Sequence, residues 1–105
     1  MRVVLLASAE HDLKELRRYI VKNFSLATWK KTYDELKESI GNLADFPLLG
    51  GIPEELEALN STQYRQILSG RNRIIYEGRQ DTVFIHIIVD THRDMVSFLM
   101  ARLVR

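Results

Sequence analysis

An unperturbed imidazole titrates near 6.5, so histidines are the side chains best suited to move a proton near neutral pH. The chain has three, His11, His86 and His92. His92 is followed by Arg93 and bracketed by Asp90 and Asp94. An acid–base group and a fixed cation therefore stand side by side, at the end of a β-branched run and just before an apolar helical segment. Side chains at such a junction project, which makes His92 and Arg93 the first functional candidates. A local reading competes: Asp90 or Asp94 pairs with Arg93, and Thr91 or Asp90 caps the last helix. His86 falls between Phe84 and Ile88 in strand alternation and reads as a half-buried structural histidine. His11 sits in the first turn of a helix with no partner at metal-ligand spacing, so no metal site is expected. The chain has no cysteine, which excludes disulfides, thiol catalysis and thiolate metal sites. No cofactor is expected.

The elements that must position these residues are legible from periodicity. Arg2 to Ala7 reads as a strand, with Val3 to Leu6 continuous as in a strand covered on both faces. Ser8 offers a helix N-cap, with Glu10 and Asp12 in the first turn. Leu13, Leu16, Ile20 and Phe24 then recur at helical spacing, and Lys14, Arg17, Arg18 and Lys22 fall mostly elsewhere. That basic face can meet DNA, an enzyme or an acidic protein; as a solvated face it gains support from Glu10–Lys14 at i,i+4. After a break at Asn23 to Ser25, with Ser25 as a second cap, Leu26, Trp29, Tyr33, Leu36, Ile40 and Leu43 form one apolar stripe over about five turns. Two amphipathic helices joined so tightly make an antiparallel hairpin.

Pro47, Gly50, Gly51 and Pro53 interrupt the pattern, and Glu54 to Asn60 suits at most a short helical turn. Three strands follow. Thr62 to Leu68 meets a turn at Ser69 to Asn72; Arg73 to Glu77 meets a turn at Gly78 to Asp81; Thr82 to Val89 is the most β-branched. Short glycine-containing turns imply an antiparallel meander, in which Tyr64 and Tyr76 brace the sheet. Asp94 to Val104 suits a final helix. The expected architecture is α+β, in the order β-α-α-β-β-β-(α), with the N-terminal helical hairpin packed on a small, mostly antiparallel sheet.

At 105 residues, the chain is expected to be one domain spanning 1–105. Its 15 basic and 14 acidic side chains leave a net charge of +1. A whole-molecule electrostatic footprint for nucleic acid is absent, while local patches remain open. The apolar run Val3 to Ala9 is too short to cross a membrane, which takes about 20 residues, and no signal cleavage pattern follows it. A cytoplasmic protein with no membrane partner is expected.

Several phrases, in order, carry a resemblance: ELRRYI at Glu15 to Ile20, LADFPLLGG closing the hairpin, YRQIL, RNRIIYEG, and VDTHRDMVSFL at the end. Together they resemble the RelE/ParE toxins of type II toxin–antitoxin systems over essentially the whole chain. The end of the first helix and the His-Arg-Asp motif look more like the ParE, or plasmid stabilisation, branch. The resemblance implies a RelE/ParE-like fold and a toxin that inhibits growth by poisoning DNA gyrase and is neutralised by a cognate antitoxin. RelE-like relatives instead cut messenger RNA on the ribosome, and an inactive toxin-fold partner protein is a further alternative.

RNA cleavage by 2′-hydroxyl attack needs a base, cations for the phosphorane charge and an acid for the leaving oxygen. Carried onto this chain, the RelE-like positions fall on Arg65, Ile67, Arg73 and Arg93, with the expected tyrosine near Phe98 or Leu99. One lysine position is thus isoleucine and the aromatic hydroxyl is missing. If the chain were a ribonuclease, Arg65, Arg73, His92 and Arg93 would do the chemistry and converge in one concave site. In the gyrase reading the same four residues are the candidates for target binding. Arg65 and Arg73 can equally be solvated strand arginines, or pair with Glu77 or Asp81 for about 0–1 kcal/mol. The resemblance implies an antitoxin segment that folds on binding, received by Leu48, Leu49 and Ile52 or beneath the last helix by Val96, Leu99 and Leu103. A toxin–antitoxin hetero-oligomer, or a homodimer through the same surface, would follow.

Overall fold

A computed structural model of the chain describes residues 1–91 and 94–103. The elements run β1 (Arg2–Leu5), α1 (Ala7–Asn23), α2 (Leu26–Asp45), α3 (Glu54–Glu57), β2 (Tyr64–Ser69), β3 (Asn72–Arg79), β4 (Thr82–Asp90) and α4 (Met95–Leu103). The four strands form one sheet in the order β1-β4-β3-β2. β1 lies parallel to β4, while β2–β3 and β3–β4 are antiparallel. This is the expected α+β architecture, with a sheet that is mostly antiparallel.

The sheet buries apolar side chains on both faces, which requires cover on both. On one face Leu36, Leu43, Ile74, Tyr76, Val83 and Ile85 pack with Ala9 beneath the α1–α2 hairpin. On the other, Ile75, Ile87 and Val89 pack with Leu56, Tyr64, Met95 and Leu99 beneath α3 and α4. Within the α2 stripe, Trp29, Leu36 and Leu43 are buried, and the Trp29 ring stacks on Tyr33 at 5.4 Å between centroids. Leu26 and Phe24 remain exposed where the two helices meet.

Local signals held unevenly. Ser25 caps α2 as expected, its hydroxyl accepting from Thr28 N–H at 3.0 Å. Ser8 does not cap α1: the helix starts at Ala7 after an extended Leu6 with no side-chain cap, and the Ser8 hydroxyl donates to the His86 carbonyl instead. The second hairpin turn is tighter than its glycine suggested. β3 runs through Arg79, so Gly78 lies within the strand opposite Val83. Gln80 takes the positive φ, 54°, that the two-residue turn needs. In β4 the register shifts between Ile75 and Tyr76: Ile87 opposes Ile75 and Ile85 opposes Tyr76. His86 is therefore the extra residue of a bulge.

The loop after α2 is pinned to β2. Gly51 bridges to Gln66, and Gly50 N–H donates to the Tyr76 hydroxyl at 2.9 Å. A Cβ built on Gly50 would lie 2.2 Å from the Gln66 carbonyl oxygen, so the close approach requires glycine.

Candidate functional site

Register decides what the strand arginines can do. In the β2–β3 ladder Arg65 opposes Tyr76, and Arg73 opposes Leu68. Directly opposed residues share a face and successive residues alternate. Leu68 is three positions from Arg65, so Arg65 and Arg73 project from opposite faces of the sheet. Arg65 lies on the hairpin face with Tyr76 and donates to the Gly50 carbonyl at 2.7 Å. Arg73 lies on the α3–α4 face, with 10 % of its side chain exposed. It grips both carboxylate oxygens of Glu55 at 2.8 and 3.0 Å and the Gln66 amide oxygen at 2.7 Å. Its partner is thus Glu55 at α3, rather than Glu77 or Asp81. The hydrogen bonds from Arg73 hold the Glu55 carboxyl below the ordinary glutamate value of 4.5, against burial pushing the other way.

His86 is half-buried, as its strand position suggested. Its Nε2 lies 3.1 Å from Glu77 Oε1 and its ring meets Tyr64 edge-on at 5.2 Å. Arg79 Nε reaches the other Glu77 oxygen at 3.1 Å. This is a satisfied polar cluster on a buried face. His92 and Arg93 lie outside the described residues. The expected convergence of Arg65 and Arg73 in one concave site is not what the sheet makes.

A concave groove lies instead between α1, the end of β4 and α4. His11, Asp12, Glu15, Tyr19, Asp90, Phe98 and Arg102 contribute to the lining of this groove of about 750 Å³. Asp12 organises it. One of its oxygens accepts from Ile88 N–H at 3.1 Å. Arg102 donates to both, at 2.9 and 3.1 Å, and also to the His86 carbonyl at 2.9 Å. The guanidinium lies over the Phe98 ring, 5.3 Å from its centroid. This bridge ties α4 to α1 and to the bulge in β4. α4 itself begins on Asp94, whose carboxylate accepts from the Ser97 hydroxyl at 3.0 Å; that role belongs to neither Thr91 nor Asp90.

Neither Asp12 nor Arg102 stands out in the sequence as a pair, being 90 residues apart. A weak signal exists. Asp12 is three residues after Ala9 and four before Leu16, so it borders the apolar stripe of α1. Arg102 sits likewise three residues after the buried Leu99.

The residues expected to receive a partner divide. Leu48 and Leu49 are 73 % and 59 % exposed, and Ile52 is also exposed. Phe46 beside them, which the sequence reading passed over, is 62 % exposed. Val96 is exposed on α4, but Leu99 is fully buried against Leu56 and Ile87 and Leu103 packs partly on the same cluster. Val96 and Leu99 are three apart, yet α4 turns Leu99 into the core. With α4 docked, the surface beneath it is therefore closed. Among the described residues, no group of three His, Asp or Glu side chains is placed to hold a metal ion, and no helix is long and apolar enough to cross a membrane.

A family model described as "ParE toxin of type II toxin-antitoxin system, parDE" matches residues 3–95. No curated protein sequence matches the chain. Among solved structures, a chain of the chromosomal ParDE TA system from P. aeruginosa is similar in fold. It superposes with a TM-score of 0.71 at 15 % identity, covering 86 % of this chain and 95 % of that one.

Proposed function

Since this chain belongs to the ParE toxins of type II toxin–antitoxin systems, we propose that it arrests growth by poisoning DNA gyrase, and that a cognate antitoxin silences it in the cytoplasm. The placement of the strand arginines carries the choice of gyrase over messenger RNA. A ribonuclease must gather cations on one phosphate. Here Arg65 and Arg73 leave opposite faces of the sheet, each engaged by the fold itself: Arg65 by a backbone carbonyl, Arg73 by the half-buried carboxylate of Glu55. Phe98 and Leu99 offer no hydroxyl. The toxin then acts by binding, with His92 and Arg93, which follow β4 in the sequence, as its contacts to the target. The antitoxin is a segment that folds on the toxin, anchored by Leu48, Leu49 and Ile52 and extended by Phe46. Apolar side chains this exposed contribute little to the lone chain and gain most on being covered.

The test uses the purified toxin, freed of antitoxin, in two assays. Trapped, cleaved DNA in a gyrase supercoiling reaction, with messenger RNA left whole on programmed ribosomes, is the expected result. Cut RNA with unaffected gyrase would overturn the reading and make His92 and Arg93 the first residues to replace.

A further inference from the structure

α1 carries a second surface that the gyrase reading leaves unused. Lys14, Arg17, Arg18, Val21 and Lys22 line a shallow depression of about 570 Å³ on its outer side. Their spacing of i, i+3, i+4, i+7 and i+8 puts them on one ridge, and eight residues of helix span about 12 Å. All four cations are exposed. Arg18 pairs with Glu15; among the described residues Lys14, Arg17 and Lys22 have no acidic partner. Like charges three and four apart on a helix repel, so this arrangement works against the helix that holds it. The whole chain has a net charge of +1, so the stripe is a local segregation of charge and not a by-product of a basic protein.

We propose that this ridge is a docking surface for the phosphodiester backbone of double-stranded DNA. Phosphates recur about every 3.4 Å along a duplex strand, so a ridge of about 12 Å spans three or four of them. The ridge is charged, and its apolar contribution is Val21, 40 % exposed. A protein partner would draw its affinity from aromatic or aliphatic anchors in desolvated pockets. The ridge itself carries no aromatic side chain: the exposed Phe24 lies past its end, edge-on to Tyr19 at 6.3 Å, Phe46, Leu48 and Leu49 stand elsewhere, and Tyr19 lines the other groove. A cation stripe without anchors suits phosphate, where binding comes from released counterions. The choice of DNA over RNA rests on the gyrase reading; the stripe itself does not.

The experiment titrates the full chain, without topoisomerase, against a short fluorescein-labelled DNA duplex and follows anisotropy at several salt concentrations. Four phosphate contacts give a log–log salt slope of about −3.6, a loss of roughly 150-fold between about 50 and about 200 mM salt. Replacing two cations together, Arg17→Gln with Lys22→Gln, is expected to bring the slope to about −1.8, a loss of roughly 12-fold over the same range. Lys30→Gln with Lys31→Gln on α2 should leave it near −3.6. Circular dichroism confirms that each variant is folded. No binding at the lowest salt, or a slope that Arg17→Gln with Lys22→Gln does not change, overturns the proposal. So does capture of a labelled RNA hairpin or a polyglutamate peptide in preference to the duplex, the last assigning the stripe to an acidic protein. Because no gyrase is present, failure here leaves the supercoiling result standing, and the reverse also holds.

Discussion

Arg73 donates to both Glu55 oxygens and to Gln66, so its loss strands several groups at once. Arg73→Ala is expected to cost about 1–3 kcal/mol, seen as a lower urea midpoint with unchanged slope. An unchanged midpoint would mean that the pair is worth no more than a surface ion pair. The pH dependence follows from Glu55. Its folded-state carboxyl titrates below the ordinary value of 4.5, so near that pH the unfolded chain binds more protons than the folded one. The contribution is therefore present above about 4.5 and is lost as pH falls through the folded value. Glu55→Gln should weaken the protein at neutral pH and lose that deficit under acid, when both side chains are neutral; urea midpoints at the two pH values compare them. A deficit that persists in acid would assign the effect to shape and not charge. At this scale the sequence was a poor guide. It names Arg65 and Arg73 as cations on strands, but alternation within one strand says nothing about the next. Their opposite faces depend on Leu68 opposing Arg73, a pairing that emerges only when alternation is carried across the turn at Ser69 to Asn72.

The elements were far more legible, because each long helix and strand is specified by many residues at once. The α2 stripe, the Ser25 cap and the order of strands all follow from periodicity and turn chemistry, and each is present. Single-residue signals failed where tertiary geometry outweighed them: Ser8 serves the β4 bulge, and Gly78 sits inside β3. The parallel pairing of β1 with β4 is likewise a long-range fact. So is the fastening of α4, which rests on Asp12 and Arg102. Asp12→Ala removes an acceptor for Ile88 N–H and both contacts to Arg102. It is expected to destabilise by about 1–3 kcal/mol and to speed hydrogen exchange in α4 more than in α2. Uniform acceleration across both helices would show instead that Asp12 supports the whole fold and not one helix. Gly50→Ala tests a second fastening. Its Cβ would meet backbone at 2.2 Å, so the loop must leave β2 and release the Tyr76 hydroxyl and Arg65. A cost of about 1–3 kcal/mol is expected, lowering the melting temperature by at least about 4 °C; a wild-type melting temperature would show that the loop shifts freely.

For the molecule as a whole, the arrangement separates what folds the chain from what is left for partners. Both sheet faces are covered from within, so Leu99 serves the core and cannot also serve a partner while α4 stays docked. Phe46, Leu48, Leu49 and Ile52 lie outside that cover. Charge is divided too, with the α1 ridge basic and the α1–β4–α4 groove bearing Asp12, Glu15 and Asp90. This division predicts opposite behaviour for two kinds of leucine. Leu99→Ala opens a cavity in a closed cluster and should cost about 2–5 kcal/mol. Leu48→Asp with Leu49→Asp changes side chains already in water, so stability should stay within about 0.5 kcal/mol. Affinity for the antitoxin should fall at least about 30-fold, the loss that goes with removing one strong interface anchor. Isothermal titration reads the affinity, and co-expression reads the consequence: the double variant should still arrest growth but escape its antitoxin. Full neutralisation of that variant would move the antitoxin to another surface. The region beneath α4, closed by the packing of Met95 and Leu99 and by the Asp12–Arg102 bridge, would then be the next to test.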